Sequence, residues 1–165
     1  MYREIVTKAV VGKGKIVDSG DVIIKVEDSI SKVLGCWIIN HYYVSLFENN
    51  KPLVKGRYDL HIWYGINNDT DTNIHKQTID YVHEFNVNVK NGEEISNSNE
   101  LNVNCIKYPT CSGLSLNEDK SITVKVEKEL SLDVIGETKL RVQISSNSDE
   151  WNNDLDNINV DYLNK

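Results

Sequence analysis

Alanine is almost missing from this sequence: a single residue, Ala9, among 165. Valine and isoleucine together occur 35 times, against 12 leucines. Helices are normally filled with Ala, Leu, Glu and Lys, whereas β-branched residues favour strands. A helical bundle or coiled coil is therefore excluded. Long apolar runs are missing too, and nothing approaches the ~20 residues a helix needs to span a bilayer. Tyr2-Arg3-Glu4 leads into a β-like stretch rather than a signal-peptide core. The expectation is a soluble chain made and kept, at least initially, in a cytosol, with no direct membrane insertion. Positive charge is in deficit, with 18 Lys and Arg against 25 Asp and Glu, a net −7. Non-specific nucleic-acid binding and docking on anionic lipid both need a basic surface, so neither fits. Cysteine is sparse and odd in number, at three. In a reducing compartment the reading is thiols, with Cys36 and Cys105 buried as small hydrophobes. The odd count leaves open an intermolecular cross-link through Cys105 or Cys111.

What is present is a core and a period. Hydrophobic residues make up 39% of the chain, enough for a packed domain rather than wholesale disorder. Apolar and polar residues alternate with period 2 almost from end to end. The runs include Ile5 to Val11, Val22 to Val26, Val33 to Phe47, Tyr58 to Tyr64, Ile79 to Val89 and Leu101 to Cys105. Ile122 to Val126, Leu130 to Val134 and Leu140 to Ile144 continue the pattern. In the Tyr58 run, Tyr58, Leu60, Ile62 and Tyr64 share one face, with Asp59, His61 and Trp63 opposite. Turn chemistry separates many of the runs: Asp18-Ser19-Gly20, Glu48-Asn49-Asn50, Asn67-Asn68-Asp69, Asn91-Gly92 and Asn117-Glu118-Asp119. The predicted fold is all-β, an antiparallel β-sandwich or barrel-like domain of about 8–10 strands. Residues 1–146 would form it. Residues 147–165 form a short acidic, Asn-rich tail, flexible or a short helix, holding −4 of the net charge. The first fifteen residues lean the other way, with Arg3, Lys8, Lys13 and Lys15 against Glu4.

No residue pattern specifies catalysis. Asp69-Thr70-Asp71-Thr72-Asn73 begins like a calcium-binding EF-hand loop, but Ile74 stands where the loop needs glycine and Asp80 where it needs glutamate. A hairpin turn is the better reading. His41, His61, His75 and His83 lack a tight metal-ligand spacing, and Cys105-x₅-Cys111 is not a zinc-knuckle spacing. Gly12-Lys13-Gly14-Lys15 lacks the rest of a phosphate-binding loop. No catalytic residue, metal or cofactor is assigned, and an enzyme is not expected. The remaining signal is aromatic: Trp37, Tyr42, Tyr43, Tyr58, Trp63, Tyr64 and Tyr81 crowd the middle of the chain. Tyr and Trp are enriched at interface hot spots, and open strand edges permit strand-to-strand assembly. Trp37, Ile39, His41, Tyr58, Trp63 and Tyr64 are the candidate assembly residues. Trp151, Leu155, Ile158, Tyr162 and Leu163 are the candidate partner-docking residues of the tail. The alternative is a carbohydrate- or small-ligand-binding β-sandwich module with an aromatic pocket.

Four segments carry a family resemblance. Tyr2-Arg3-Glu4-Ile5-Val6-Thr7-Lys8-Ala9-Val10-Val11 with Gly14-Lys15 resembles the amino-terminal stretch of the outer spore-coat morphogenetic protein CotE family. Gly35-Cys36-Trp37-Ile38-Ile39-Asn40-His41 resembles that family's GWIINH segment. Gly56-Arg57-Tyr58-Asp59-Leu60-His61-Ile62-Trp63-Tyr64 and Val134-Ile135-Gly136-Glu137-Thr138-Lys139 resemble two further segments, in the same order. The resemblance covers roughly residues 2–145. The tail departs from the family, which has a more acidic carboxyl end where this chain has asparagine. The resemblance implies a structural, morphogenetic protein of the spore coat. Such a protein self-associates as a homo-oligomer or larger assembly and scaffolds the outer coat on the developing endospore. It would be made in the mother-cell cytoplasm and would bind other spore coat proteins and inner-layer morphogenetic proteins.

Overall fold

The structure is a computed structural model that describes residues 1–90 and 92–144. The described residues form seven strands and no helix. They are β1 (Tyr2–Ile24), β2 (Ile30–Glu48), β3 (Lys51–Ile66), β4 (Asp71–Glu84), β5 (Val87–Val89), β6 (Glu100–Leu116) and β7 (Ile122–Gln143). Two antiparallel sheets result, one ordered β5-β1-β7-β6 and the other β2-β3-β4. The all-β, sandwich-like expectation holds, with fewer and longer strands than the roughly 8–10 anticipated from strand-and-turn spacing. Two merges account for most of the difference. Asp18-Ser19-Gly20 is not a turn but continues β1, because pairing with β7 supplies backbone partners that a local turn would forgo. The Ile122, Leu130 and Leu140 runs likewise join into one 22-residue strand.

The chain divides into two compact units. In the first, the described parts are residues 1–8 and 137–144, the outer ends of β1 and β7. There the Ile144 amide donates to the Met1 carbonyl at 2.9 Å, and the Arg141 guanidinium lies 5.6 Å from the Tyr2 ring centroid. Tyr2, Ile5, Val6 and Leu140 are exposed on this ribbon.

The second unit, Ala9–Gly136, holds the packed core. Its turns follow the asparagines. Asn49 and Asn50, at φ 52° and 60°, form a two-residue β2–β3 hairpin between the paired Glu48 and Lys51. Asn, which tolerates left-handed backbone, is what such a turn requires. Asn67, Asn68 and Asp69 are all left-handed in the β3–β4 hairpin, so the EF-hand-like stretch is a turn and strand start. Gly12-Lys13-Gly14-Lys15 lies within β1, where Gly12–Gly14 pairs with the short β5.

Inward-facing side chains form two apolar clusters. One contains Ile24, Ile30, Tyr58, Leu60, Ile62, Tyr64, Ile122, Val124 and Val126; the other contains Val11, Val54, Phe85, Leu130, Leu132 and Val134. The inward row of β7 runs Ile122, Val124, Val126, Lys128, Leu130, Leu132, Val134, all buried. Lys128 thus occupies the slot between the two clusters. On β3 the inward row reads Val54, Gly56, Tyr58, and Gly56 faces Tyr81 of β4 across the ladder. An ideal Cβ on Gly56 would lie 2.4 Å from the Tyr81 ring and hydroxyl, so the missing side chain is what lets that ring cross the middle of the core.

Candidate functional site

The outer face of the three-stranded sheet sets large apolar side chains among charged and polar ones. Register places Trp63 beside Ile74, Trp37 beside His61, and Lys55 between Val44 and Val82. Trp37, Ile39, Tyr42, Val44, Trp63, Ile74 and Val82 are all exposed, Trp37 and Trp63 at 39% and 42%. The Trp37 and Trp63 rings meet edge to face, with centroids 6.4 Å apart and planes at 88°. Charges interleave with this surface. Arg57 Nε pairs with Asp80 at 3.1 Å, and Asp59 accepts hydrogen bonds from Asn40 Nδ2 at 2.8 Å and Thr78 Oγ1 at 2.7 Å. These bonds hold the Asp59 carboxyl below the ordinary carboxylate value. A shallow groove at one end is lined by Tyr42, Val44, Lys55, Arg57, Asp80 and Val82. Tyr42, Val44, Ile74 and Val82 were not among the six candidate assembly residues; Tyr42 and Val44 reach this face only because a bulge after Ile39 shifts the phase of β2.

The six candidate assembly residues part company. Trp37, Ile39 and Trp63 lie together on the outer face. Tyr58 and Tyr64 do not; each is 3% exposed, on the inward phase of β3, and the Tyr64 hydroxyl donates to Asp28 at 2.7 Å. The alternation itself had set Tyr58 and Tyr64 opposite Trp63. His41 also turns inward. A bulge between Ile39 and Tyr42, with Asn40 left-handed at φ 54°, shifts the phase so that Asn40 reaches Asp59 and His41 points between the sheets. Cys105 and Cys111 are half-buried on β6. Trp151, Leu155, Ile158, Tyr162 and Leu163 lie outside the described residues.

Between the two apolar clusters is a polar waist that the sequence reading did not assemble. Lys128, 4% exposed, pairs directly with the Asp18 carboxylate, and its ammonium lies 4.4 Å from the Tyr81 ring centroid. Tyr81 hydroxyl and His41 Nε2 are 2.7 Å apart. His83 Nε2 sits 3.6 Å from Asp18 Oδ2, buried and with no hydrogen-bond partner. Burial, reinforced by Lys128, holds both His41 and His83 below the ordinary imidazole value, with Asp18 opposing this in His83. Burial also pushes the Tyr58 hydroxyl up to about 12. The one signal in the sequence was Lys128 itself, a lysine in an otherwise apolar alternating row.

The waist makes stability depend on pH with a definite sign. The unfolded chain protonates these histidines near the ordinary value of 6.5, the folded protein only at lower pH. The unfolded state then binds more protons, so their contribution is intact above that value and falls as pH drops through it. Asp28, Asp59, Asp69, Asp119 and Glu127, whose carboxyls are held low, act below their ordinary values of 3.8 to 4.5 and leave this window to histidine. Thermal melts should show a level Tm near neutrality and a decline as pH falls below about 6.5, shallower in His83→Gln. A level profile through that window would contradict the assignment.

Among the described residues, no group of three His, Cys, Asp or Glu side chains is placed to hold a metal, and no helix is long and apolar enough to cross a membrane. Fold and surface together define an all-β, sandwich-like protein whose three-stranded sheet exposes Trp37, Trp63 and several aliphatic side chains on its outer face. The sequence model of outer spore coat protein E (CotE) matches residues 1–164, essentially the whole chain, and the chain belongs to that family of outer spore coat proteins. No curated protein and no solved structure gives a significant match.

Proposed function

We propose that this protein is a non-enzymatic scaffold of the outer spore coat that associates with copies of itself through the outer face of the β2-β3-β4 sheet. The observation that carries the reading is that face: seven large apolar side chains exposed on neighbouring strands, with Trp37 and Trp63 in mutual contact. Large apolar side chains exposed together on one sheet face mark interaction sites, and Trp and Tyr dominate interface energetics. The interleaved Arg57–Asp80 pair and the Asn40–Asp59–Thr78 hydrogen bonds provide polar groups suited to a self-complementary contact. The scaffold is made in the mother-cell cytoplasm and then joins the coat, where it holds other coat proteins and inner-layer morphogenetic proteins. Trp151, Leu155, Ile158, Tyr162 and Leu163 are the tail residues proposed to dock such partners. The ligand-binding alternative is less well supported, because sugar stacking favours flat, accessible ring faces and the Trp37 and Trp63 planes cross at 88°.

Light scattering of the full chain at high micromolar concentration should report dimers or larger species. The Trp37→Ser/Trp63→Ser variant should run as a monomer, with a Tm within a few degrees of the parent, since both side chains are about two-fifths exposed. A parent that stays monomeric at that concentration would remove the basis for self-association.

A further inference from the structure

Strands β2 and β6 belong to different sheets, each at a sheet edge, and approach within 8 Å of one another, Cα to Cα. Two side-chain contacts set their alignment. Ser45 Oγ donates to the Leu101 carbonyl at 3.5 Å, and Cys105 Sγ lies 3.9 Å from His41 Nδ1. Moving back from Ser45 to His41 on β2 thus corresponds to moving forward from Leu101 to Cys105 on β6, an antiparallel arrangement. Carried further, past the β2 bulge and the irregularities of β6 between Cys105 and Thr110, the same alignment brings Cys36 to Cys111. Both thiols pack against the same apolar cluster, and Cys111 is among the neighbours that raise the Cys36 thiol. Both are half-buried and free.

We propose that Cys36 and Cys111 are a redox-reactive pair that closes into an intrachain disulfide across the β2–β6 seam. The oxidant is a small-molecule disulfide such as oxidised glutathione. Burial and the neighbouring Cys111 push the Cys36 thiol up to about 12, which makes Cys36 a poor first nucleophile. Cys111 therefore loses its proton and attacks one sulfur of the small disulfide. The other half leaves as a thiolate and takes up that proton. Cys36 then loses its proton, attacks the Cys111 sulfur and expels the second thiolate, which is protonated in turn. Two cysteine sulfurs are oxidised by two electrons in all, and one small disulfide is reduced to two thiols. The bond ties the two sheets together along the edge where no backbone ladder joins β2 to β6 in the observed pairing. Cys111 is thereby assigned a partner within its own chain rather than in a neighbour.

The full-length protein is incubated with oxidised glutathione, alkylated and digested without reduction. Mass spectrometry should find a Cys36–Cys111 linked peptide as the main product, in a species that remains monomeric on a non-reducing denaturing gel. Closing so long a loop should raise Tm on the order of 10 °C, reversibly with dithiothreitol. Cys105→Ser should keep this response, and Cys36→Ser and Cys111→Ser should each lose it. A main product containing Cys105, a dimer linked between chains, or a persistent mixed glutathione adduct without closure would each overturn the pairing. The peptide map of the unmutated protein decides this even where a serine variant fails to fold.

Discussion

Asp18→Asn should destabilise the protein by about 2–4 kcal/mol in urea denaturation, because it strips the counter-charge from an ammonium the fold keeps dry. Lys128 is 4% exposed and its charge has two partners, the Asp18 carboxylate and the Tyr81 ring face at 4.4 Å. The aromatic face alone compensates only part of the desolvation of a buried cation. Lys128→Met should cost much less, under ~1.5 kcal/mol, because it fills the same slot with an unbranched apolar chain. The carboxylate it leaves behind is better placed than the lysine was, since the Asp18 side chain is 31% exposed and within reach of water. The informative construction is the double variant. Asp18→Asn/Lys128→Met should be more stable than Asp18→Asn alone, a coupling that only a direct pair produces. The Asp18→Asn penalty should also change little with added salt, as expected for a shielded pair. If Asp18→Asn costs under ~1 kcal/mol and the second substitution restores nothing, the pair is not what holds Lys128 in the core.

Gly56→Ala should be the second large effect, at about 2–4 kcal/mol, an outsized penalty for one methyl group. The new Cβ would sit 2.4 Å from the Tyr81 ring, closer than real Cβ atoms come. Tyr81 cannot retreat without loss, because its hydroxyl is 2.7 Å from His41 Nε2 and its face covers the Lys128 ammonium. Displacing it breaks that hydrogen bond and uncovers the cation. Propensity argues the other way, since Ala is favoured over Gly inside a strand. The sign of the effect therefore reports packing. In a Tyr81→Leu background, which removes the outer half of the ring, the Gly56→Ala penalty should shrink to about 1 kcal/mol or less. An equal penalty in both backgrounds would place the strain elsewhere.

The waist also shows how far local pattern reaches. Alternation along β3 sorted Tyr58, Leu60, Ile62 and Tyr64 from Asp59, His61 and Trp63, and the structure buries the first set and faces the second outward. Asparagine pairs marked the β2–β3 and β3–β4 hairpins, where left-handed backbone is needed within a few residues of the signal. Asp18-Ser19-Gly20 misled for the complementary reason. Its turn chemistry is local, but its conformation is decided by pairing with β7 more than a hundred residues away. His41 could not be oriented from sequence either, because the phase of β2 changes at a bulge that depends on Asn40 reaching Asp59 on the next strand.

Composition and period by themselves determined the all-β class, the antiparallel pairing, the β2–β3 and β3–β4 hairpins and the face on which most side chains lie. Each of these follows from the two-residue repeat of a strand or from the backbone preferences of a few adjacent residues. The tertiary structure alone decided which strands merged, which faces met and which remained open. It brought Asp18 to Lys128, Gly56 to Tyr81 and Cys36 to Cys111, and it left Trp37 and Trp63 at the surface. Those outcomes rest on contacts between residues far apart in the chain, whose energies depend on burial and on a partner's position, and neither quantity is carried by the local repeat.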